Sequence, residues 1–179
     1  MGVDKALLKF DRLTFIQHVT RTMHEVFNDL LIISDKWKTY EFLKIPVVPD
    51  IYKNCGPLGG IHAAFHHSTA SALFVVSCDT PFISRELIGH IIGYEGDAEV
   101  KIPSEDSSLH PLCGFYTRGC LPVIEMNLNK QCFKVQDIFH QLKTLIIPIT
   151  PELQFYTKEL FLNFNNPADI QMFGITRPC

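Results

Sequence analysis

The 179-residue chain has no apolar run long enough to cross a bilayer; stretches such as "ALFVV" and "LIIPI" are far shorter than the roughly 20 residues a spanning helix needs. A soluble protein that avoids membranes is therefore expected. The opening "MGVDKALLKF" has no apolar h-region and no cleavage-site pattern, and Met1-Gly2 is not followed by the Ser or Thr of a myristoylation motif. This leads to the expectation of a cytoplasmic protein. Positive charge is not in excess, since the net charge is -3. Nucleic acid, whose binding depends on Lys and Arg neutralising many phosphates, is thereby excluded as a partner, while a small anionic ligand met by a few local cations is not. The six cysteines contain no Cys-x-x-Cys pair and no zinc-type Cys/His spacing, which reads as reduced thiols in a reducing compartment. With no internal repeat and no low-complexity linker, residues 1–179 are expected to form a single domain.

What is present is a pattern of alternating elements in a chain that is 46% hydrophobic and 20% charged, enough apolar material for a real core. Ile16, Val19, Met23, Val26 and Phe27 recur at helical spacing, and Thr14 with Gln17 forms a capping box, so Thr14 to Phe27 reads as an amphipathic helix. "LLII" (30–33) reads as a buried strand and "IPVVPD" as a second apolar piece. "NCGPLGGIHAAF" then sets glycines and a proline before a helix built on Ile61, Ala64 and Phe65. "ALFVVSCDTPFIS" reads as a strand that ends in polar residues, followed by a helix from about Arg85 that Ser84 caps. Further on, "AEVKI" and "PLCGFYT" look like strands and "LPVIEMNL" and "VQDIFHQL" like helices. "LIIPI" is another strand, and "NNPADIQMF" a last helix with Asn166 at its N-cap. Strands apolar on both faces, alternating with helices, point to an α/β fold: a doubly wound, mostly parallel sheet with helices on both faces.

In such a sheet, ligands bind outside the carboxyl ends of the strands. Three polar clusters fall there: Asp50 after "IPVV", Asp79 after "ALFVVSC", and Asn163 with Asn165 in "FLNFN". Asp79 suits a hard cation such as Mg²⁺, held by one or two carboxylates plus substrate phosphates, or else it caps the turn before Pro81. Gly56, Gly59 and Gly60 either let a ligand approach the start of a helix or serve only as turn residues. Lys5 is a phosphate contact or a solvated lysine, and His110, beside Pro111, is a phosphate contact or a structural residue. Cys78, next to Asp79, lacks a His–Asp arrangement and reads as a small buried residue rather than a nucleophile. His66 and His67 close their helix as an exposed, charge-favouring end.

Taken in order, "MGVDKALL", "PVVPD", "GPLGGI", "VVSCDTPFIS..L", "HPLCGFY...CLP" and "FLNFNNPADI" resemble the molybdenum cofactor guanylyltransferases across nearly the whole chain. "GPLGG" followed by "CDTPF" is the most specific pair. The resemblance implies a nucleotidyltransferase (Rossmann-like) fold and transfer of GMP from GTP to molybdopterin, with Mg²⁺ as cofactor and pyrophosphate released. Carried over position by position, it implies that Lys5 contacts the nucleotide phosphates, Asp50 the guanine and ribose, and Asp79 the metal. It gives Gly56, Pro57, Leu58 and Gly59 to guanine recognition, Asn163 and Asn165 to the catalytic and pterin side, and His110 to Cys113 to the pterin pocket. Molybdopterin-insertion proteins and molybdoenzymes are the implied partners.

Two departures from the family pattern stand out. The family's first strand and its Leu-Ala-Gly-Gly-x-Ser-x-Arg loop belong before Met1, so "MGVDK" resembles the distal half of a nucleotide loop and the domain is expected to be N-terminally incomplete. Ser34 stands where an asparagine is common. The alternatives are a molybdopterin cytidylyltransferase or other small-molecule nucleotidyltransferase, and a non-catalytic module that binds and delivers the pterin.

Overall fold

A computed structural model describes residues 4–164, 173, 175 and 176. In chain order, a 3-10 turn (Lys5–Leu7) leads into β1 (Lys9–Phe10), β2 (Leu13–Thr14) and α1 (Phe15–His24). Next come β3 (Ile32–Ile33), α2 (Trp37–Tyr40), β4 (Val47–Val48), α3 (Gly56–His67), β5 (Ala72–Val76) and α4 (Arg85–Gly93). The remainder is β6 (Val100–Glu105), β7 (Ser108–Leu109), β8 (Cys113–Thr117), α5 (Leu121–Asn129), a 3-10 helix (Val135–Gln141) and β9 (Thr144–Pro148). These elements divide into two compact units: residues 30–75 with 91–149, and the remaining residues.

In the unit that holds the chain's start, local rules act visibly. Thr14 caps α1 through the expected box, its backbone N–H donating to Gln17 Oε1 at 2.9 Å. The regular helix ends at His24, and Val26 and Phe27 close a terminal turn on the Met23 carbonyl. Between β1 and β2 the pair Asp11-Arg12 has φ of 44° and 70°, the pattern of a type I′ hairpin, which needs positive φ at both central residues. The absence of glycine at that turn hides the hairpin from sequence reading. A cluster of Leu8, Phe15, Phe164 and Ile175, flanked by Phe10, Phe82 and Phe173, forms part of this unit's core. Its rings meet at offset and edge-on angles, Phe15 and Phe164 lying 4.9 Å apart between centroids. Lys9 and Thr176 exchange backbone hydrogen bonds of 2.8 and 2.9 Å.

The other unit is built on β6. That strand pairs in parallel with β9 and antiparallel with β7 and β8, and β5 extends the order beyond β8. A separate parallel pair joins β3 to β4 in register Ile32↔Val47. The antiparallel members follow from short connections: β6 turns into β7 through Asp106-Ser107, again at positive φ, whereas parallel neighbours require a long crossover. Leu58, Ile61 and Phe65 of α3 pack with Ile124 of α5, Ile102 of β6 and Tyr116 of β8, all at most 2% exposed. Burial of each such aliphatic or aromatic side chain stabilises the fold by about 1.5–3 kcal/mol. The end of α3 is closed from far along the chain. The Arg118 guanidinium donates to the carbonyls of Phe65, Ser68 and Ala70 and lies over the Phe65 ring.

Two expectations change. Residues 135–141 form a 3-10 rather than an α-helix, because Val135 and Ile138, the buried pair, are three apart, and that spacing eclipses in a 3-10 helix and satisfies both geometries. Of "LLII", only Ile32 and Ile33 pair as strand. The proposed helix in "NNPADIQMF" lies outside the described residues.

Candidate active site

The charged groups singled out in the sequence divide between the two units, and each set is positioned by its own neighbours. In the first unit, Asp4 caps the Lys5–Leu7 turn by accepting from the Ala6 N–H at 3.3 Å, and buried Ala6 and Leu8 fix that turn on the core. Lys5 is thereby held at the first position of an ordered turn. Just past β5, the Ser77 hydroxyl donates to Asp79 Oδ1, Thr80 Oγ1 donates to the Ser77 carbonyl at 2.9 Å, and the Ile83 N–H closes on Thr80. The turn before Pro81 is thus tied by Ser77 and Thr80. Ser84 Oγ then caps α4, accepting from the Leu87 N–H at 3.1 Å.

Asp4, Lys5 and Asp79 share one electrostatic neighbourhood, and the Cys78 thiol reports it. Cys78 is exposed and not the buried residue expected, because it stands in the polar turn beyond the end of β5, yet its thiol is desolvated. Desolvation, then the charges of Asp79 and Asp4, push the thiol up to about 11 against the pull of Lys5. A thiol so raised stays protonated at neutral pH, in keeping with its reading as a non-nucleophile. Asp4 and Ser77 are the two members of this set that sequence reasoning passed over. Only tertiary folding brings Asp4 near Asp79. Asn163 offers a buried Oδ1 that meets no donor among the described residues, and Asn165 lies outside them.

In the second unit, Asp50 follows β4 with its Oδ1 buried and without a hydrogen-bond partner among the described residues. Burial first, then the nearby Asp35 charge, raise its carboxyl above the usual range, while Lys53 works the other way. Lys53 itself forms an ion pair with Asp35. Asp50 Oδ1 faces the first turn of α3: a Cβ added at Gly59 would lie 3.9 Å from it and 3.1 Å from the Tyr52 carbonyl, and one at Gly60 would lie 3.8 Å from it. Glycine at 59 therefore lets the loop pass against the helix. Gly56 opens the helix at φ +59°, and Pro57 follows in the first turn, where its missing N–H costs nothing. Leu58 is 0% exposed, backbone included, so it belongs to the core, and of the turn's first residues it is Gly56 and Pro57 that stand exposed.

His110 stands between β7 and β8, its N–H donating to Pro103 O and its carbonyl accepting from the Cys113 N–H, both at 3.0 Å. Burial pushes its imidazole below the usual histidine range. Cys113, at 1% exposure, is a core residue whose thiol burial raises to about 12.

A family model described as the MobA-like NTP transferase domain matches residues 1–145, well over half of the chain. The chain belongs to the MobA-like NTP transferase family. Within it, the chain is 32% identical over 171 residues to the probable molybdenum cofactor guanylyltransferase of Pelotomaculum thermopropionicum, covering 95% of this chain and 83% of that protein. It is 29% identical over 164 residues to the Clostridium perfringens protein of the same name, covering 92% and 82%. Among solved structures, it is similar to molybdopterin-guanine dinucleotide biosynthesis protein A from Archaeoglobus fulgidus, with a TM-score of 0.79, 24% identity, and 96% and 89% of the two chains covered. It is also similar in fold to Rv0371c of Mycobacterium tuberculosis, solved in complex with manganese, with a TM-score of 0.66, 13% identity, and 96% and 92% covered.

The fold is thus the nucleotidyltransferase-like α/β fold, and the chain is a nucleotidyltransferase of the MobA-like family. For a member of this family, the donor set fits a divalent cation. Among the described residues no three His, Cys, Asp or Glu side chains group as a metal cage, while Mg²⁺ needs only one or two carboxylates when substrate phosphates complete its shell. Asp79, in the turn just past β5, would supply one such carboxylate.

Proposed function

We propose that the protein transfers GMP from GTP to molybdopterin, forming the guanine dinucleotide cofactor and releasing pyrophosphate. The observation that carries this reading is the buried, partnerless Oδ1 of Asp50 beside Gly59 and Gly60 at the start of α3. A desolvated carboxylate oxygen with no protein donor is costly unless a ligand supplies one, and a nucleoside offers donors on its ribose hydroxyls and on the amine edge of guanine. The adjoining helix start is open at Gly56, where nothing lies within 4 Å of an added Cβ, and this leaves room for a base against the backbone.

In the proposed reaction, the terminal phosphate oxygen of molybdopterin forms a new bond to the α-phosphorus of GTP as the bond to pyrophosphate breaks. Positioning and charge neutralisation dominate such chemistry, so a general acid–base pair is not required. Lys5 neutralises phosphate charge, Asp50 orients the nucleoside, and Gly56 to Gly59 admit the base. Asp79 would hold Mg²⁺, which when bound offsets triphosphate charge. Asn163 and Asn165, with His110, serve the pterin side. The product would pass in the cytoplasm to insertion proteins and molybdoenzymes.

Supplying molybdopterin with Mg²⁺ and either GTP or CTP, and following pyrophosphate, tests the reading. Release with GTP and not with CTP is expected. Preference for CTP would reassign the chain to cytidylyl transfer, and no release with either nucleotide would leave a pterin-binding module.

A further inference from the structure

We propose that His62 is a positioning residue for nucleotide recognition, a buried imidazole wedged between Tyr52 and Glu125 that sets the loop before α3 against Gly59. The proposal rests on reading the first turn of α3 as the base-recognising turn. His62 lies on α3 one turn beyond Leu58 and is 4% exposed. It meets charged or titratable groups from each element around it. The Tyr52 ring, in the loop before α3, stands edge-on at 4.8 Å between centroids. Glu125 of α5 places Oε1 3.7 Å from Nε2, and the His66 ring stacks at 6.1 Å on the same helix. The other ring nitrogen, Nδ1, is buried with no hydrogen-bond partner.

That arrangement favours one protonation state. With the single proton on Nε2, toward the Glu125 carboxylate, Nδ1 is a bare acceptor; a second proton would create a buried N–H with nothing to accept it. Burial, and to a smaller degree His66, lower the imidazole below its ordinary 6.5 against the opposing pull of Glu125. Because the folded-state value is depressed, the stability tied to neutral His62 is present above that ordinary value and is lost as pH falls through the folded one. The loss reaches the nucleotide through Tyr52. The Tyr52 carbonyl, together with Cys55 Cβ, is what a Cβ at Gly59 would approach to 3.1 Å, and Asp50 Oδ1 faces the same glycine. Charging His62 therefore disturbs the loop that brings Asp50 and Gly59 together, without touching the phosphate-side residues.

A pH titration of the ligand-free full chain by NMR, with His62 assigned by its loss in His62→Gln, tests the coupling apart from catalysis. The His62 ring is expected to titrate below 6.5, with the Tyr52 ring and the Gly59 amide shifting at the same midpoint. In Glu125→Gln that midpoint moves to lower pH, because the carboxylate no longer favours the charged ring. Tyr52 and Gly59 signals that ignore the imidazole, or a midpoint that does not move in Glu125→Gln, overturn the proposal. In turnover, acidification through the midpoint should raise the wild-type KM for GTP severalfold and leave the His62→Gln KM flat; an equal rise in both also overturns it. If His62→Gln does not fold, the Glu125→Gln titration decides. Absence of GTP turnover at every pH would refute the proposed function, while the NMR coupling would still judge His62.

Discussion

The two units handle their polar groups in opposite ways. In the first, charge sits on turns: Asp4 caps the 3-10 turn that carries Lys5, and Asp79 accepts from Ser77 in the turn after β5. In the second, the polar atoms that matter are fixed by a helix whose other face fills the core, so Asp50 and Gly59 are set by Leu58 and Ile61 packing below them. Turns can accommodate a changing phosphate geometry, whereas a packed helix end presents one shape and discriminates. On the proposed function, this difference predicts effects on rate from substitutions in the first unit and effects on recognition from those in the second.

The largest effect is expected from Phe65→Ala, which removes a fully buried ring of the second unit and should cost about 3–5 kcal/mol in denaturant unfolding. A cost below about 1 kcal/mol would deny that α3 is a rigid platform. Asp79→Asn should follow, lowering kcat about 100-fold, equivalent to about 2.7 kcal/mol, with little change in melting temperature. Retained activity at saturating Mg²⁺ would return Asp79 to a turn-capping role. Asp50→Asn should weaken GTP about tenfold, seen in KM rather than kcat, since it alters a hydrogen bond to a charged group. It should also raise the melting temperature at pH 7. The raised carboxyl means that stability is present below the ordinary carboxylate value and lost as pH rises through the folded one, so removing the charge helps at neutral pH and is neutral in acid. Thr14→Ala should cost about 1 kcal/mol through the lost cap of α1 and leave nucleotide KM untouched. The smallest effect is expected of Lys53→Ala, because its ion pair with Asp35 is exposed on both sides and such pairs contribute about 0–1 kcal/mol. A larger change in GTP affinity there would extend the recognition set to Lys53.

What could be read from the sequence was what is decided within a few residues. The capping box of α1, the Ser84 cap of α4 and the Gly-Pro start of α3 are all local hydrogen-bond or dihedral requirements, and the chain meets them where expected. The order of strands around β6 and the two hairpins at Asp11-Arg12 and Asp106-Ser107 depend on pairing between distant segments or on non-glycine residues at positive φ, and neither leaves a plain pattern. The same division holds for the site. Asp50 and Asp79 were visible because carboxylates just past apolar strands are conspicuous, while Asp4 and the imidazole of His62 acquire their meaning only from neighbours far along the chain. The resemblance implied a recognition role for Leu58, but its complete burial was not legible in the sequence.

Arg118 gives α3 an ending that its own sequence cannot supply. One guanidinium, 48 to 53 residues downstream, gathers the carbonyls of Ala70, Ser68 and Phe65. Those carbonyls are not satisfied in this way until the segment after β8 has docked, so this closure of the end of α3 depends on that docking. In the native state the dependence runs the other way. Fraying of that helix end requires the guanidinium to leave as well, so amide exchange in the final turn of α3 should be slowed to the rate at which the β8 segment opens, instead of showing the fast exchange of an ordinary helix terminus.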